Sequence, residues 1–112
     1  MKIPDCVFCK IINKEIPAKI IAENDSVIVI QDIAPKTPIH YLIIPKKHFA
    51  NITKLEQSDR ALAGDLLLMA KYLSETVTGA KEFRLVSNNG ISVSQSVFHI
   101  HVHFCAGKAL SF

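Results

Sequence analysis

Val97-Phe98-His99-Ile100-His101-Val102-His103-Phe104-Cys105 sets an imidazole at three alternate positions of an otherwise apolar, β-branched and aromatic run. That composition predicts a strand over 97–105. Side chains alternate faces along a strand, so the three histidines are expected on one side, neighbours ~7 Å apart, with Ile100, Val102 and Phe104 packed into a core on the other. Titratable rings gathered on one face are costly unless each ring nitrogen finds a partner. The row admits three readings. It is a solvent-facing edge, a metal site of the His-x-His kind that zinc uses, or a site where imidazole itself is nucleophile or proton shuttle near neutral pH.

Working outward, residues 6–15 are mixed apolar and basic and predict a short helix closed by Ile16-Pro17. Short strands are expected at 19–23 and 26–31, joined by an Asn24-Asp25 turn. Two prolines make 32–38 a loop, and 39–44 is a strand ended by Pro45. Ser58 is the expected N-cap of a long helix running to about Val77. Its residues Leu62, Leu66, Met69 and Leu73 keep helical spacing and read as core, and Gly79 stops it. A strand at 83–87 and a loop at 88–94 lead back to the histidines. Helices set apart from hairpin-spaced strands give an α+β domain with a mainly antiparallel sheet, one long helix and one short one.

The chain of 112 residues is long enough for one domain and one core. Its 49% hydrophobic and 21% charged residues are those of a globular protein, which excludes a disordered chain. No apolar run is long enough for a bilayer, and Met1-Lys2-Ile3-Pro4-Asp5 has no apolar stretch of the secretory kind. A net charge of +3 with scattered lysines lacks the basic, aromatic-interleaved stripe of a nucleic-acid binder. Three cysteines, Cys6 and Cys9 close together and Cys105 far away, argue against a disulfide framework and for a reducing, cytoplasmic setting.

The pattern His-φ-His-φ-His-φ-φ, with φ apolar, resembles the histidine triad family of nucleotide hydrolases and transferases. Phe8-Cys9-Lys10-Ile11-Ile12 and Glu15-Ile16-Pro17-Ala18-Lys19-Ile20 are similar to the opening of its Hint branch. Asp32-Ile33-Ala34-Pro35 and Pro38-Ile39-His40-Tyr41-Leu42-Ile43-Ile44-Pro45-Lys46-Lys47-His48 are similar to its middle, and Gln95-Ser96-Val97-Phe98 leads into the triad as it does there. The resemblance covers nearly the whole chain, with the motifs in order. It implies the α+β fold of that family and a homodimer.

For the site, the resemblance makes His101 the nucleophile that attacks the α-phosphorus of a nucleoside phosphoramidate or related purine nucleotide. The resulting nucleotidyl-histidine is then hydrolysed. It gives His103 to phosphoryl oxygens and leaving-group protonation, Ser96 to the phosphate and leaving group, and His40 to a relay behind the triad. Asp32 falls where the family holds the ribose hydroxyls, a task that suits two acceptor oxygens. Asn88 and Gln95 match polar contacts on the nucleotide, and Val7, Phe8, Ile11, Ile30 and Ile33 match the apolar base pocket. Read without the resemblance, Ser96, Asn88 and Asp32 are turn formers and His40 a buried strand residue.

One departure stands out. Relatives carry glycines just before the Gln-Ser pair, whereas this chain has Val93-Ser94, and side chains cannot follow every glycine conformation. Cys6-x-x-Cys9 is a common zinc half-site. Bacterial relatives that carry the same four residues pair it with His48 and His99, implying a structural zinc, with no metal required for the chemistry. Three rivals remain: a dinucleoside-polyphosphate hydrolase, a nucleotide-binding or interaction module with little turnover, and a metallohydrolase using His99, His101 and His103 as ligands.

Overall fold

The fold is taken from a computed structural model, which describes residues 5–111. The stretch Met1 to Pro4, read above for secretory character, lies outside them. In chain order the elements are α1 (Val7–Ile12), β1 (Ile20–Glu23), β2 (Val27–Gln31), β3 (Ile39–Pro45), α2 (Arg60–Thr76), β4 (Arg84–Val86) and β5 (Val102–Ala106). The strands form one five-stranded sheet in the order β1-β2-β3-β5-β4, every pair antiparallel. No helix among the described residues is long and apolar enough to cross a membrane.

The sheet is covered on both faces, which explains why β2 reads as an unbroken Val27-Ile28-Val29-Ile30 run. Val27, Val29, Ile43 and Phe104 pack on the α2 side against Leu66, Met69, Ala70 and Leu73. Ile28, Ile30, Leu42 and Ile44 pack on the α1 side against Phe8, Cys9 and Ile11. His40 therefore shares its face with Leu42 and Ile44, and the β3–β5 register sets Leu42 opposite His103 and His40 opposite Cys105. The central sheet thus aims its histidines at α1, while α2 builds the larger core behind them. Truncating the fully buried Leu73 to Ala should cost about 2–5 kcal/mol.

Two expectations are corrected. Helix α2 is preceded by a 3-10 turn, Gln57–Asp59, and its N-cap is Asp59, not Ser58. Asp59 is buried, and its two oxygens accept from the Glu56 amide at 2.9 Å and the Lys47 ammonium at 3.1 Å. The other end behaves as read: the Val77 amide closes on the Leu73 carbonyl, and Gly79 follows at φ 89°.

The histidine strand is shorter than its pattern. Pairing begins at Val102, so only His103 of the three lies in β5. The next residues of β3 explain this. Pro45 has no N–H to extend the ladder, its carbonyl is taken by the His99 ring at 2.7 Å, and the Ile100 amide turns to the Phe49 carbonyl at 2.8 Å. The faces still alternate, because Ile100 and Phe104 join the α2 core while the rings of His99 and His101 both contact Phe8 on α1.

Candidate active site and candidate metal centre

All five histidines of the chain converge on the α1 side of the sheet, in two neighbouring groups. The first is built by α1. Cys6 is its N-cap and accepts the Cys9 amide at 3.3 Å, so one helical turn brings both thiols to the same side. Cys6 Sγ lies 3.3 Å from His99 Nδ1, and Cys9 Sγ lies 3.3 Å from His48 Nδ1 and 3.6 Å from His99 Nδ1. The two imidazole nitrogens are 3.1 Å apart. The His99 ring is oriented from behind: a carbonyl can only accept, so Nε2 donates to Pro45 and the lone pair of neutral His99 is on Nδ1, facing the thiols. Burial, together with neighbouring His48 and His101, pushes His99 down to about 4, which keeps it neutral. Burial likewise lowers His48 and raises the Cys6 thiol. Two soft sulfurs and two neutral imidazoles within 4.8 Å of one another could hold a metal ion.

The second group is Asp32, His40, His101 and His103. His101 is buried, and its Nδ1 donates to the His99 carbonyl at 2.8 Å, which leaves Nε2 as the free lone pair of the neutral ring. Phe8 packs edge-on against it at 5.1 Å, and the His103 ring lies 5.3 Å away. Behind them the protons are ordered from the loop. The Lys36 amide donates to His40 Nδ1 at 2.9 Å, so neutral His40 carries its proton on Nε2. That proton points at His103 Nδ1 at 2.9 Å, which in turn puts the His103 proton on Nε2. Asp32 Oδ2 sits 3.4 Å from His40 Nε2 and 3.9 Å from His103 Nδ1, while Oδ1 accepts the Ala34 amide. Burial, then the neighbouring imidazoles of His101 and His40, pushes His103 down to about 4, with Asp32 opposing the shift. His103 is thus a neutral ring with a donor at Nε2, beside the His101 ring whose Nδ1 is committed to the His99 carbonyl.

The remaining expected residues divide. Phe8, Ile11 and Ile30 are buried in the α1-side core, Val7 is partly open, and Ile33 stands fully exposed at the end of β2. Asn88 is half-buried after β4. Ser96 is exposed and lines a cavity of about 470 Å³ with Asp5, Cys6, Val7, His48, Ala50, Val97 and Phe98. Gln95, expected at the nucleotide, is 4% exposed and uses its whole amide on the protein. Its Oε1 accepts from Gly90 at 2.8 Å, and Nε2 donates to the Ala50 and Val97 carbonyls at 2.7 and 3.1 Å. Gln95 is a brace for the loop in front of the triad. Just before Gln95, Ser94 adopts the left-handed conformation at φ 77° and Val93 points outward, 54% exposed.

Two groups in the site escaped the sequence reading: the Lys36 amide and the Pro45 carbonyl. Both are main-chain atoms, for which the sequence carries no signal.

The arrangement has counterparts. The family model described as "Scavenger mRNA decapping enzyme C-term binding" matches residues 5–111. An uncharacterised HIT-like protein of Synechocystis sp. is 43% identical over 107 residues, 96% of this chain and 94% of its own. The chain belongs to the histidine triad (HIT) family. A HIT family hydrolase from Clostridium thermocellum superposes with a TM-score of 0.93 at 40% identity, covering 98% of this chain and 96% of that one. A histidine triad protein from Clostridium difficile gives 0.89 at 34% identity, covering 100% and 98%. The five-stranded antiparallel sheet with one long and one short helix is the HIT-like α+β fold.

Proposed function

We propose that this histidine triad protein is a hydrolase of the Hint type, acting on purine nucleoside phosphoramidates or related nucleotidyl compounds through a covalent bond to His101. The observation that carries this reading is the 2.8 Å hydrogen bond from His101 Nδ1 to the His99 carbonyl, because it fixes a neutral tautomer with the nucleophilic lone pair on Nε2. That nitrogen attacks the α-phosphorus, the N–P bond forms and the bond to the leaving group breaks. The Nε2–H of His103 hydrogen-bonds the phosphoryl oxygens while its Nδ1 is held by the His40 Nε2–H, and the departing amine takes its proton from solvent beside His103. Water then attacks phosphorus and releases His101. Ser96 and Asn88 would contact the phosphate, Asp32 the ribose, and Val7, Phe8, Ile11, Ile30 and Ile33 the base.

The relatives named HIT family hydrolases support hydrolysis. The metallohydrolase alternative is disfavoured by the geometry, since of the triad only His99 joins the thiol cluster. For that cluster we propose structural zinc. With Zn–S about 2.3 Å and Zn–N about 2.0 Å, a tetrahedral shell has edges of roughly 3.3–3.8 Å. Four of the six separations are 3.1–3.6 Å, close to those edges, and all six lie within 4.8 Å. Zinc would add a closed structural cross-link joining α1, the end of β3 and the triad. Leu67 and Leu68 on α2, 64% and 62% exposed, support a homodimer that covers them. The thiol chemistry suits a reducing cytoplasm.

The test is incubation of purified protein with adenosine phosphoramidate and with diadenosine polyphosphates, with and without chelator. Release of AMP from the phosphoramidate, and a quenched nucleotidyl adduct on His101, are expected. Preference for the polyphosphate would move the chain to that rival branch, and absence of turnover on both would favour a binding module.

A further inference from the structure

His99 belongs to both groups at once. Its ring nitrogen Nδ1 faces Cys6 and Cys9, and its main-chain carbonyl holds the nucleophile's Nδ1–H at 2.8 Å. A second link runs in parallel. Phe8 lies between the two cysteines on α1 and packs edge-on against both His99 at 5.9 Å and His101 at 5.1 Å. Helix α1 has only six residues, too few to persist without tertiary anchors, and its N-cap is the Cys6 sulfur itself. The seat of His101 therefore depends on where the two sulfurs are.

The geometry assigns His99 as a positioning residue that ties the nucleophile to the Cys6–Cys9 thiol pair, so that oxidation of the pair switches turnover off. The inference rests on the proposed hydrolase reading for its activity readout. The oxidant class is a peroxide. The Cys6 thiolate attacks an oxygen of hydrogen peroxide, giving a sulfenic acid and hydroxide. The Cys9 thiolate then displaces hydroxide from that sulfur, forming the disulfide. Two thiolates lose two electrons, and peroxide gains them as two hydroxides. A disulfide no longer offers two anionic sulfurs to a metal, so the cross-link through His99 and His48 opens. The cavity of about 470 Å³ lined by Cys6, Val7, His48 and Ser96 gives a small oxidant a path to the otherwise buried Cys6. Cys105, on β5 and buried, is a separate thiol and is replaced by serine in the test.

The experiment treats the reduced, zinc-loaded Cys105→Ser protein with hydrogen peroxide. It follows free thiols, released zinc, the imidazole nitrogen NMR signals of His101, and AMP release from adenosine phosphoramidate. A parallel sample is stripped by chelator without oxidation. We expect the thiols and zinc to be lost together, the Nδ1–H tautomer of His101 to lose its single sharp state, and kcat to fall about 100-fold. Chelation alone should reproduce the fall, and reduction with added zinc should reverse both. A His101 signal and kcat that stay unchanged after the disulfide has formed and zinc has left overturn the coupling, as do thiols that survive millimolar peroxide. If the reduced protein releases no AMP at all, the hydrolase reading fails instead, and the His101 signal still decides whether His99 transmits the state of the thiols.

Discussion

The two histidine groups on the α1 face invite comparison, because each gathers side chains that could hold a metal ion within 4.8 Å, yet their ring protons are set in opposite senses. Cys6, Cys9, His48 and His99 form the first; Asp32, His40 and His103 form the second, with His101 packed against His103. The difference lies in the main-chain atom behind one ring of each. Behind His99 stands the Pro45 carbonyl, which takes the ring proton outward and leaves a lone pair facing the cluster. Behind His40 stands the Lys36 amide, which takes the lone pair outward and leaves a proton facing the cluster. A proton aimed inward suits a relay and opposes a cation; a lone pair aimed inward does the reverse. The lesson is that the residue types in a cluster set what it can do, and the polarity of the backbone behind them selects which of those it does.

The largest expected effect is on the relay side. His101→Ala should lower turnover of adenosine phosphoramidate by at least about 1,000-fold while nucleotide binding, followed by calorimetry, changes little. Retained turnover would end the covalent mechanism. On the metal side, elemental analysis should find roughly one zinc per chain in the native protein, and Cys9→Ser should remove most of it and lower Tm by about 5 °C or more. Unaltered metal content and Tm would erase the distinction between the two groups.

The next test is pH. His103 is held neutral in the fold, at about 4 against 6.5 unfolded, because burial and the nearby His40 and His101 rings oppose its charge despite Asp32. Below 6.5 the unfolded chain binds the proton that the fold refuses. The contribution is therefore complete above about pH 6.5 and disappears as pH falls toward 4. Denaturation between those limits should show a loss on the order of 2 kcal/mol that His103→Asn reduces. An identical acid profile in the variant would show that His103 is not refusing a proton. The smallest effect sharpens the contrast directly. Zinc titration of the native protein should show one tight site, and Lys36→Pro, which deletes the amide behind His40, should make a second site detectable. A second tight site already present in the native protein would refute the assignment of polarity.

Much of this was legible along the chain. The unbroken apolar run of β2, the helical spacing of Leu66, Met69 and Leu73, and the Gly79 stop are local signals, and each appears where its pattern places it. The alternation of His99, His101 and His103 likewise predicts their shared face, because residue-to-residue geometry fixes it even where strand pairing is absent. What failed locally did so for partners far away in sequence. Pro45 withheld the ladder from residues 97–101, and the carbonyls of Ala50 and Val97 hold the Gln95 amide that the nucleotide was expected to meet.

The sequence by itself determined the stock of chemistry: five imidazoles, a Cys-x-x-Cys pair, a carboxylate ahead of a proline loop, and a strand pattern that faces three of the rings one way. Only the tertiary structure decided which nitrogen of each ring is free. That choice is made by the Pro45 carbonyl for His99, by the Lys36 amide for His40 and by the His99 carbonyl for His101. Carbonyls recur at every residue and amides at every residue but proline, so their presence in the sequence distinguishes no position. They acquire meaning only when the fold sets one of them behind a particular ring.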